Sequence, residues 1–318
     1  MCLKIISVNE NLKGITPMRF GMDFGGTNLK LAIFTEDGGT VSFEELPIKS
    51  LIKDGAIIDG LVNTVVGFVA GHTIDAGGLA IKGMVDTRKG TVADDIGAGS
   101  LLAGMNVREI FSDALGVPVA MDNDARSYAW GEYLFGAGKG SRVMVCMTLG
   151  TGIGCSLVHG GKPYEGTDPL SGLLGGHITI DRNGPECPCG SRGCLELYCS
   201  ATALKEEIRS RYPELNSGDS VPAFFDAAAR KRLPYSILLN EFQENLALGI
   251  VNVIHAYGPD TVVIGGGVMK SNEIILPHVI EIVHKRAWTF PRKSVKIAAS
   301  KLGNRSAVLG AAFHYTLQ

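Results

Sequence analysis

The sequence predicts an α/β protein of two related domains facing each other across a cleft, on three observations. The chain has 318 residues, the length at which a single hydrophobic core stops growing and chains divide. Its 42 glycines gather in short clusters beside apolar runs, as suits turns where backbone must approach a ligand closely. One supersecondary layout also occurs twice. DFGGTNLKLAIF from Asp23 and TLGTGIGCSLVH from Thr148 both read strand, glycine turn, strand. Two halves that each open on such a hairpin set two phosphate-gripping turns face to face.

Each element follows from its local pattern. RFGMDF is an apolar strand, GGTN its turn and LKLAIF the returning strand. A further strand is read over 79–85 and a helix over 107–115. A strand over 117–121 precedes a helix over 125–135 that opens directly after Asp124. RVMVCMTLGTGIGCSLVHGG repeats the hairpin. Beyond Ser200 helices dominate, at 201–211, 221–230 and 235–256, the last apolar along one side. TVVIGGGV is a buried strand ending in three glycines. Helix 274–286, strand VKIAAS and a closing helix over 306–317 complete the chain. The domains are drawn as 18–124, joined by the C-terminal helix 306–318, and 125–305, the larger, which carries a loop at 177–196. Residues 1–17 read as peripheral, with Met18 an alternative start.

Composition bounds the partners. Apolar residues make up 45%, net charge is -2 and the pI is about 6.4, which leaves no footprint for nucleic acid or an anionic membrane. Small molecules or further copies of the chain are the expected partners. The first residues do not read as a signal peptide, and no apolar run reaches the roughly 18 residues of a membrane span. A cytoplasmic, reducing setting is expected. There, three of the seven cysteines falling within eight residues read as metal ligands rather than disulfides.

Five constellations carry chemistry. In Asp23-Phe24-Gly25-Gly26-Thr27 the glycines turn backbone amides toward phosphate oxygens, Thr27 adds a hydroxyl, and Asp23 would hold Mg²⁺ through water. The same residues also suit an ordinary hairpin turn. Gly150-Thr151-Gly152 is followed by a strand rather than a helix, so it reads as a second phosphate clamp and not a dinucleotide loop. Asp122-Asn123-Asp124 lies between a strand and a helix. Asp124 there could accept a proton from a substrate hydroxyl, and Asn123 could bind a sugar hydroxyl; both types are equally at home as helix N-caps. His177 with Cys187, Cys189 and Cys194 makes a closed tetrahedral zinc set, read as structural, with three unrelated buried cysteines as the alternative. Gly265-Gly266-Gly267 after a buried strand would let adenine and ribose lie against bare backbone, or would simply turn strand into helix. The remaining cysteines read as small apolar fillers.

Together these residues resemble the ROK family (repressors, open reading frames and kinases) from about Met18 to the end. The most specific parts are the DxGGT hairpin, the pair Asn123-Asp124, and GH followed by CxCGxxGCLE. The resemblance implies an actin-like (ribonuclease H-like) pair of α/β domains with ATP in the cleft and a sugar deeper. It implies that Asp124 is the catalytic base and that Asn123 and Glu196 bind sugar hydroxyls. His177 is implied to be zinc ligand and sugar neighbour at once. Gly25, Gly26, Thr27, Gly150, Thr151 and Gly152 match the phosphate turns. A homodimer or homotetramer is implied as well.

Two departures bear on the sugar. Glucose-type members carry Glu three residues before the zinc histidine, where this chain has Leu174. They also carry an asparagine in a loop matching Ser100 to Met105, where this chain has none at that register. Losing a charged acceptor to a sugar hydroxyl removes about 1.5–3 kcal/mol of recognition. The readings in order are an ATP-dependent kinase of a hexose or hexose derivative, a sugar- or nucleotide-binding protein without catalysis, and a sugar-responsive regulator. The last needs a DNA-binding domain, for which 17 residues before the first strand are too few.

Overall fold

A computed structural model describes residues 18–52, 57–93, 101–168, 175–215, 220–230, 233–288 and 294–317. Leu174, Ser100, residues 1–17 and Gln318 lie outside the described residues. The chain runs β1 (Met18–Phe24), β2 (Asn28–Phe34), β3 (Thr40–Pro47), α1 (Ile58–Val69), β4 (Ile74–Ile81), β5 (Val85–Asp86), β6 (Thr91–Val92), α2 (Val107–Leu115) and β7 (Val119–Asn123). It continues through α3 (Asp124–Phe135), β8 (Val143–Leu149), β9 (Ile153–His159), β10 (Lys162–Pro163), α4 (Glu196–Cys199), α5 (Ala201–Arg211), α6 (Ser220–Ala229) and α7 (Tyr235–Tyr257). It closes with β11 (Thr261–Gly265), α8 (Asn272–Arg286), β12 (Lys296–Ala299) and α9 (Ser306–Ala312). Among the described residues, no helix is long and apolar enough to cross a membrane.

Two five-stranded sheets have the same plan, β3-β2-β1-β4-β7 and β10-β9-β8-β11-β12. In each, two antiparallel pairings are followed by two parallel ones. The hairpin repeat visible in the sequence is thus the visible part of a repeated sheet. The central strands are buried nearly end to end, as strands covered on both faces must be. α1 and α2 cover one face of the first sheet through Leu61, Val65, Val107 and Phe111. α5, α6, α7 and α8 cover the far face of the second through residues such as Leu204, Phe225, Phe242 and Val279.

Between the sheets lie α3 and α9, packed on each other. α3 rests on β8 and β9, and α9 on β1, β2 and β4. Glycine makes this approach close enough. A Cβ at Gly131 would collide with Ser306 O, at Gly310 with Ser127 O, at Gly21 with Val308 O and at Gly78 with Ala311 O. Part of the glycine enrichment therefore serves helix packing rather than ligand turns. The buried Glu132 on α3 adds a polar tie. Its carboxylate accepts from Ala137 N, Lys301 N, Leu302 N, Ser300 Oγ and Ser306 Oγ, fixing α3 to the β12–α9 junction.

The structure shifts several expected boundaries. β4 ends at Ile81, not 85, and begins earlier, at Ile74; Asp75, Gly77 and Gly78 hide its start from a pattern of apolar residues. β7 extends to Asn123, two residues beyond the expected end. The closing helix stops at Ala312 and gives way to a 3-10 turn over Tyr315–Leu317; between them His314 Nε2 lies 3.5 Å from the buried Asp122 Oδ2.

Candidate active site

Parallel strands β1, β4 and β7 end level with one another, with Phe24 beside Ile81 and Ile81 beside Asn123. The crevice outside the carboxyl ends of parallel strands is where α/β folds bind ligands. Every candidate of the first half sits on this edge: Asp23 at the end of β1, Gly25-Gly26-Thr27 just beyond it, and Asn123-Asp124 where β7 becomes α3.

The two glycine turns are alike in detail. Gly25 N donates to Asn28 O at 3.2 Å and Gly150 N to Gly152 O at 2.9 Å, so the first amide of each turn closes its own hairpin. Among the described residues, the amides of Gly26, Thr27, Thr151 and Gly152 have no protein acceptor. Carbonyls of the second turn are held from behind, Gly150 O by Ala201 N at 2.7 Å and Thr151 O by Thr202 Oγ1 at 2.7 Å. Anion-binding turns present just such successive unpaired amides.

Of Asn123 and Asp124, either of which the sequence allowed as a helix cap, the structure uses Asn123. Asn123 is the N-cap of α3, its Oδ1 accepting from Ala125 N and Arg126 N. Its Nδ2 donates to Gly83 O at 2.9 Å and to Asp124 Oδ1 at 3.1 Å, which uses the whole amide. Asp122 is structural, paired with Arg126 Nε at 2.7 Å. Asp124 is the first helical residue, half-buried, its Oδ1 also accepting from Ala125 N at 2.9 Å. Oδ2 has no protein partner among the described residues. Burial first, then the neighbouring Asp23 charge, push its carboxyl up to about 7, although Ala125 N–H and Lys82 oppose the shift. A carboxylate poised near neutral pH suits a general base.

Asp23 is almost wholly buried and pairs with Lys30 Nζ at 2.7 Å. Burial raises its pKa and Lys30 opposes the rise. The second turn reaches α3 from the other side. A Cβ built on Gly154 would lie 2.6 Å from Ala125 Cβ, so the residue after Asp124 is wedged against the second hairpin. Asp124 thus lies on the edge that carries the first turn, one residue from the contact with the second hairpin. Sequence reasoning missed Lys82, which continues β4 by donating its N–H to Phe24 O at 3.0 Å. A Cβ on Gly26 would be 3.1 Å from Lys82 Nζ. The signal available was a lone lysine at the carboxyl end of the apolar run LAI, on the edge that carries the turns.

His177, Cys187, Cys189 and Cys194 place their ligand atoms within 4.8 Å of one another. Cys189 and Cys194 sulfurs are 3.6 Å apart, and Cys187 Sγ is 3.5 Å from His177 Nδ1. A tetrahedron with metal–sulfur bonds of about 2.3 Å has edges of about 3.8 Å, so the donor set fits zinc. Glu196 opens α4 directly after this loop, and its Oε2 accepts from Ile153 N at 2.6 Å. A Cβ on Gly152 would collide with that carboxylate. Glu196 therefore ties the cysteine loop to the second glycine turn, and Oε1 has no protein partner among the described residues.

Gly265-Gly266-Gly267 is divided in role. A Cβ at Gly265 would strike the Tyr128 hydroxyl, and one at Gly266, whose φ is 91°, would strike Leu149 O. Only Gly267 faces open space among the described residues. Leu101, from the loop where an asparagine was sought, packs on the first core.

Comparison with known proteins gives the family and the fold. The chain is 31% identical over 314 residues to the glucokinase of Streptomyces coelicolor, covering 93% of this chain and 96% of that one. It is 28% identical over 233 residues to the xylose repressor of Bacillus spizizenii, covering 73% of this chain and 59% of the repressor. Among solved structures, the ROK family glucokinase of Streptomyces griseus, in complex with glucose and AMPPNP, superposes with a TM-score of 0.77 at 28% identity, over 93% of this chain and 98% of that one. The paired sheets are those of the actin-like fold that this glucokinase shares. The family model for the ROK family matches residues 19–316, from the first strand to the turn after α9, and the chain belongs to the ROK family.

Proposed function

We propose that the protein is an ATP-dependent kinase of a hexose or hexose derivative, working in the cytoplasm, with Asp124 as general base. One observation supports the reading: a carboxyl pushed up to about 7, with one oxygen lacking a protein partner among the described residues, shares a strand edge with a glycine turn whose amides are unpartnered, and the residue after it packs on the second hairpin. The amides of Gly26, Thr27, Thr151 and Gly152 would bind the phosphates, and Gly267 would offer bare backbone to the nucleoside. Gly25, Gly150, Gly265 and Gly266 shape that path. Glu196, through Oε1, and His177 would face the sugar.

In the transfer, Asp124 Oδ2 takes the proton of the attacking sugar hydroxyl as its oxygen bonds the γ-phosphorus. The bond to the bridging oxygen breaks, and its electron pair leaves with ADP. Asn123 acts by holding Asp124 at the helix start rather than by touching sugar. Mg²⁺, when bound, screens the phosphate charge. Asp23 fits its outer coordination, because two carboxylates in electrostatic reach of each other are a setting that a divalent cation relieves. Zinc would be held by His177, Cys187, Cys189 and Cys194 as a structural ion, with Glu196 relaying the order of its loop to the second turn. A second copy of the chain is the expected protein partner.

An ADP-release assay across hexoses, N-acetylhexosamines and ketoses tests the proposal. Turnover with at least one sugar is expected, reduced about 10²–10⁴-fold in Asp124→Asn. The apolar Leu101 favours a second reading, sugar binding without transfer. Sugar binding by calorimetry with no ADP formed from any of the panel would establish that reading instead.

A further inference from the structure

We propose that Lys82 is a catalytic residue of this active site, its ammonium binding the transferring phosphoryl group between Gly26 and Asp124. The inference rests on the kinase reading and adds a group to it. Lys82 follows the last residue of β4, and its amide extends the ladder to Phe24 O at 3.0 Å, so its backbone is fixed by the central parallel pairing. From there the side chain lies over the first turn. A Cβ built on Gly26 would be 3.1 Å from Nζ and 3.7 Å from Cδ, which places the ammonium beside Gly26 in the first turn. The residue is half-buried.

What surrounds this ammonium makes the position unusual. Two carboxylates, Asp23 and Asp124, share the strand edge with it, and Lys82 is close enough to Asp124 to act on its charge. Yet among the described residues Lys82 makes neither ion pair nor side-chain hydrogen bond. Asp23 is instead ion-paired with Lys30 at 2.7 Å. Lysine is a flexible, strongly hydrated point charge that gains most from a compact anion. An ammonium held at a glycine turn with amides free, and not satisfied by the acids next to it, is set for an anion that arrives from solvent.

The step is the transfer already described. The sugar oxygen bonds the γ-phosphorus, the bond to the β–γ bridging oxygen breaks with its electron pair going to ADP, and the hydroxyl proton goes to Asp124. Negative charge on the non-bridging oxygens of the moving group then lies against Lys82. A positioned cation at such oxygens acts where charge is concentrated in the transition state. Lys82 would therefore discriminate nucleotides by their γ-phosphate, which it would hold together with the turn amides, while ADP would keep the amide contacts alone.

The test measures Mg²⁺-dependent affinity for AMPPNP and for ADP by calorimetry, with turnover on the accepted sugar, in wild type, Lys82→Met and Lys82→Arg. Wild type is expected to bind AMPPNP more tightly than ADP. Lys82→Met should lose most of that preference, about tenfold or more, keep its ADP affinity and its sugar KM, and lower kcat about 10²–10³-fold. Lys82→Arg, which keeps the charge, should restore the preference in large part. Equal melting temperatures of the three proteins would set a folding defect aside. A Lys82→Met protein that retains wild-type preference and kcat overturns the proposal and leaves the kinase reading standing. Lys82-dependent preference for AMPPNP in a wild type that phosphorylates no sugar supports the lysine site and sinks the kinase reading. Wild type that binds neither nucleotide overturns both.

Discussion

Asp124 shows how one residue can be costly to fold and useful to keep. Its carboxyl stands at about 7 against an ordinary 3.8, because burial and Asp23 both disfavour the charge. The folded state thus holds the proton more tightly than the unfolded chain does. That contribution is whole below about pH 4 and is lost as pH rises through 7. Asp124→Asn removes the titration, so its stability relative to wild type should increase between pH 4 and 8. The gain is on the order of 1–4 kcal/mol at the alkaline end, read from urea denaturation at each pH. Activity must move the opposite way. Wild-type kcat/KM should rise with pH to a plateau with its midpoint near 7, since only the carboxylate accepts the proton. A flat profile across that range would assign the proton to another group. At this scale the sequence was informative about residue types and silent on their allocation. It could offer Asn123 and Asp124 equally as cap or ligand. Which of them caps α3 depends on the phase of the helix, and that phase follows from β7 running on to Asn123.

At the scale of elements, α3 connects most of the chemistry. It starts at Asp124, and Tyr128, one turn on, packs on Gly265 and accepts from Gly266 N at 3.4 Å. Glu132, a further turn on, gathers the β12–α9 junction. Glu132→Ala would leave several buried donors unsatisfied and should destabilise the protein by about 3–5 kcal/mol, measured by chemical denaturation; a loss below about 1 kcal/mol would show the ties to be replaceable by water. The cysteine loop is the second such element. Removing the zinc proposed for this loop should lower the melting temperature and raise the sugar KM with kcat less affected, through the link from Glu196 to Ile153 N. Unchanged kinetics in a verified metal-free sample would deny the loop that role. The cysteine cluster was readable because its ligands lie close in sequence. The link from Glu196 to the second turn was not, because it joins residues 43 apart through a hydrogen bond that leaves no local pattern. β3 was missed for a different reason: it is an exposed edge strand in which the alternation of Val41 and Phe43 is broken by Glu44 and Glu45.

Across the whole molecule, the repeated hairpin was the legible trace of a repeated sheet, and the fold followed from it. The sequence joined the closing helix to the first domain but did not disclose its packing against α3 between the sheets, because that contact is written in single glycines, Gly21, Gly78, Gly131 and Gly310. These read as turn formers until a partner backbone is seen beside them. The site depends on that return, since the edge bearing Asp23, Lys82 and Asp124 belongs to the first sheet while Gly150 to Gly152 belong to the second. The most direct measurement is a crystal structure with AMPPNP, Mg²⁺ and a sugar found in the ADP-release assay. The γ-phosphorus should lie between the amides of Gly26 and Thr27 and those of Thr151 and Gly152, with one sugar hydroxyl hydrogen-bonded to Asp124 Oδ2. A triphosphate bound away from both turns, or a sugar with no hydroxyl near Asp124, would contradict the account.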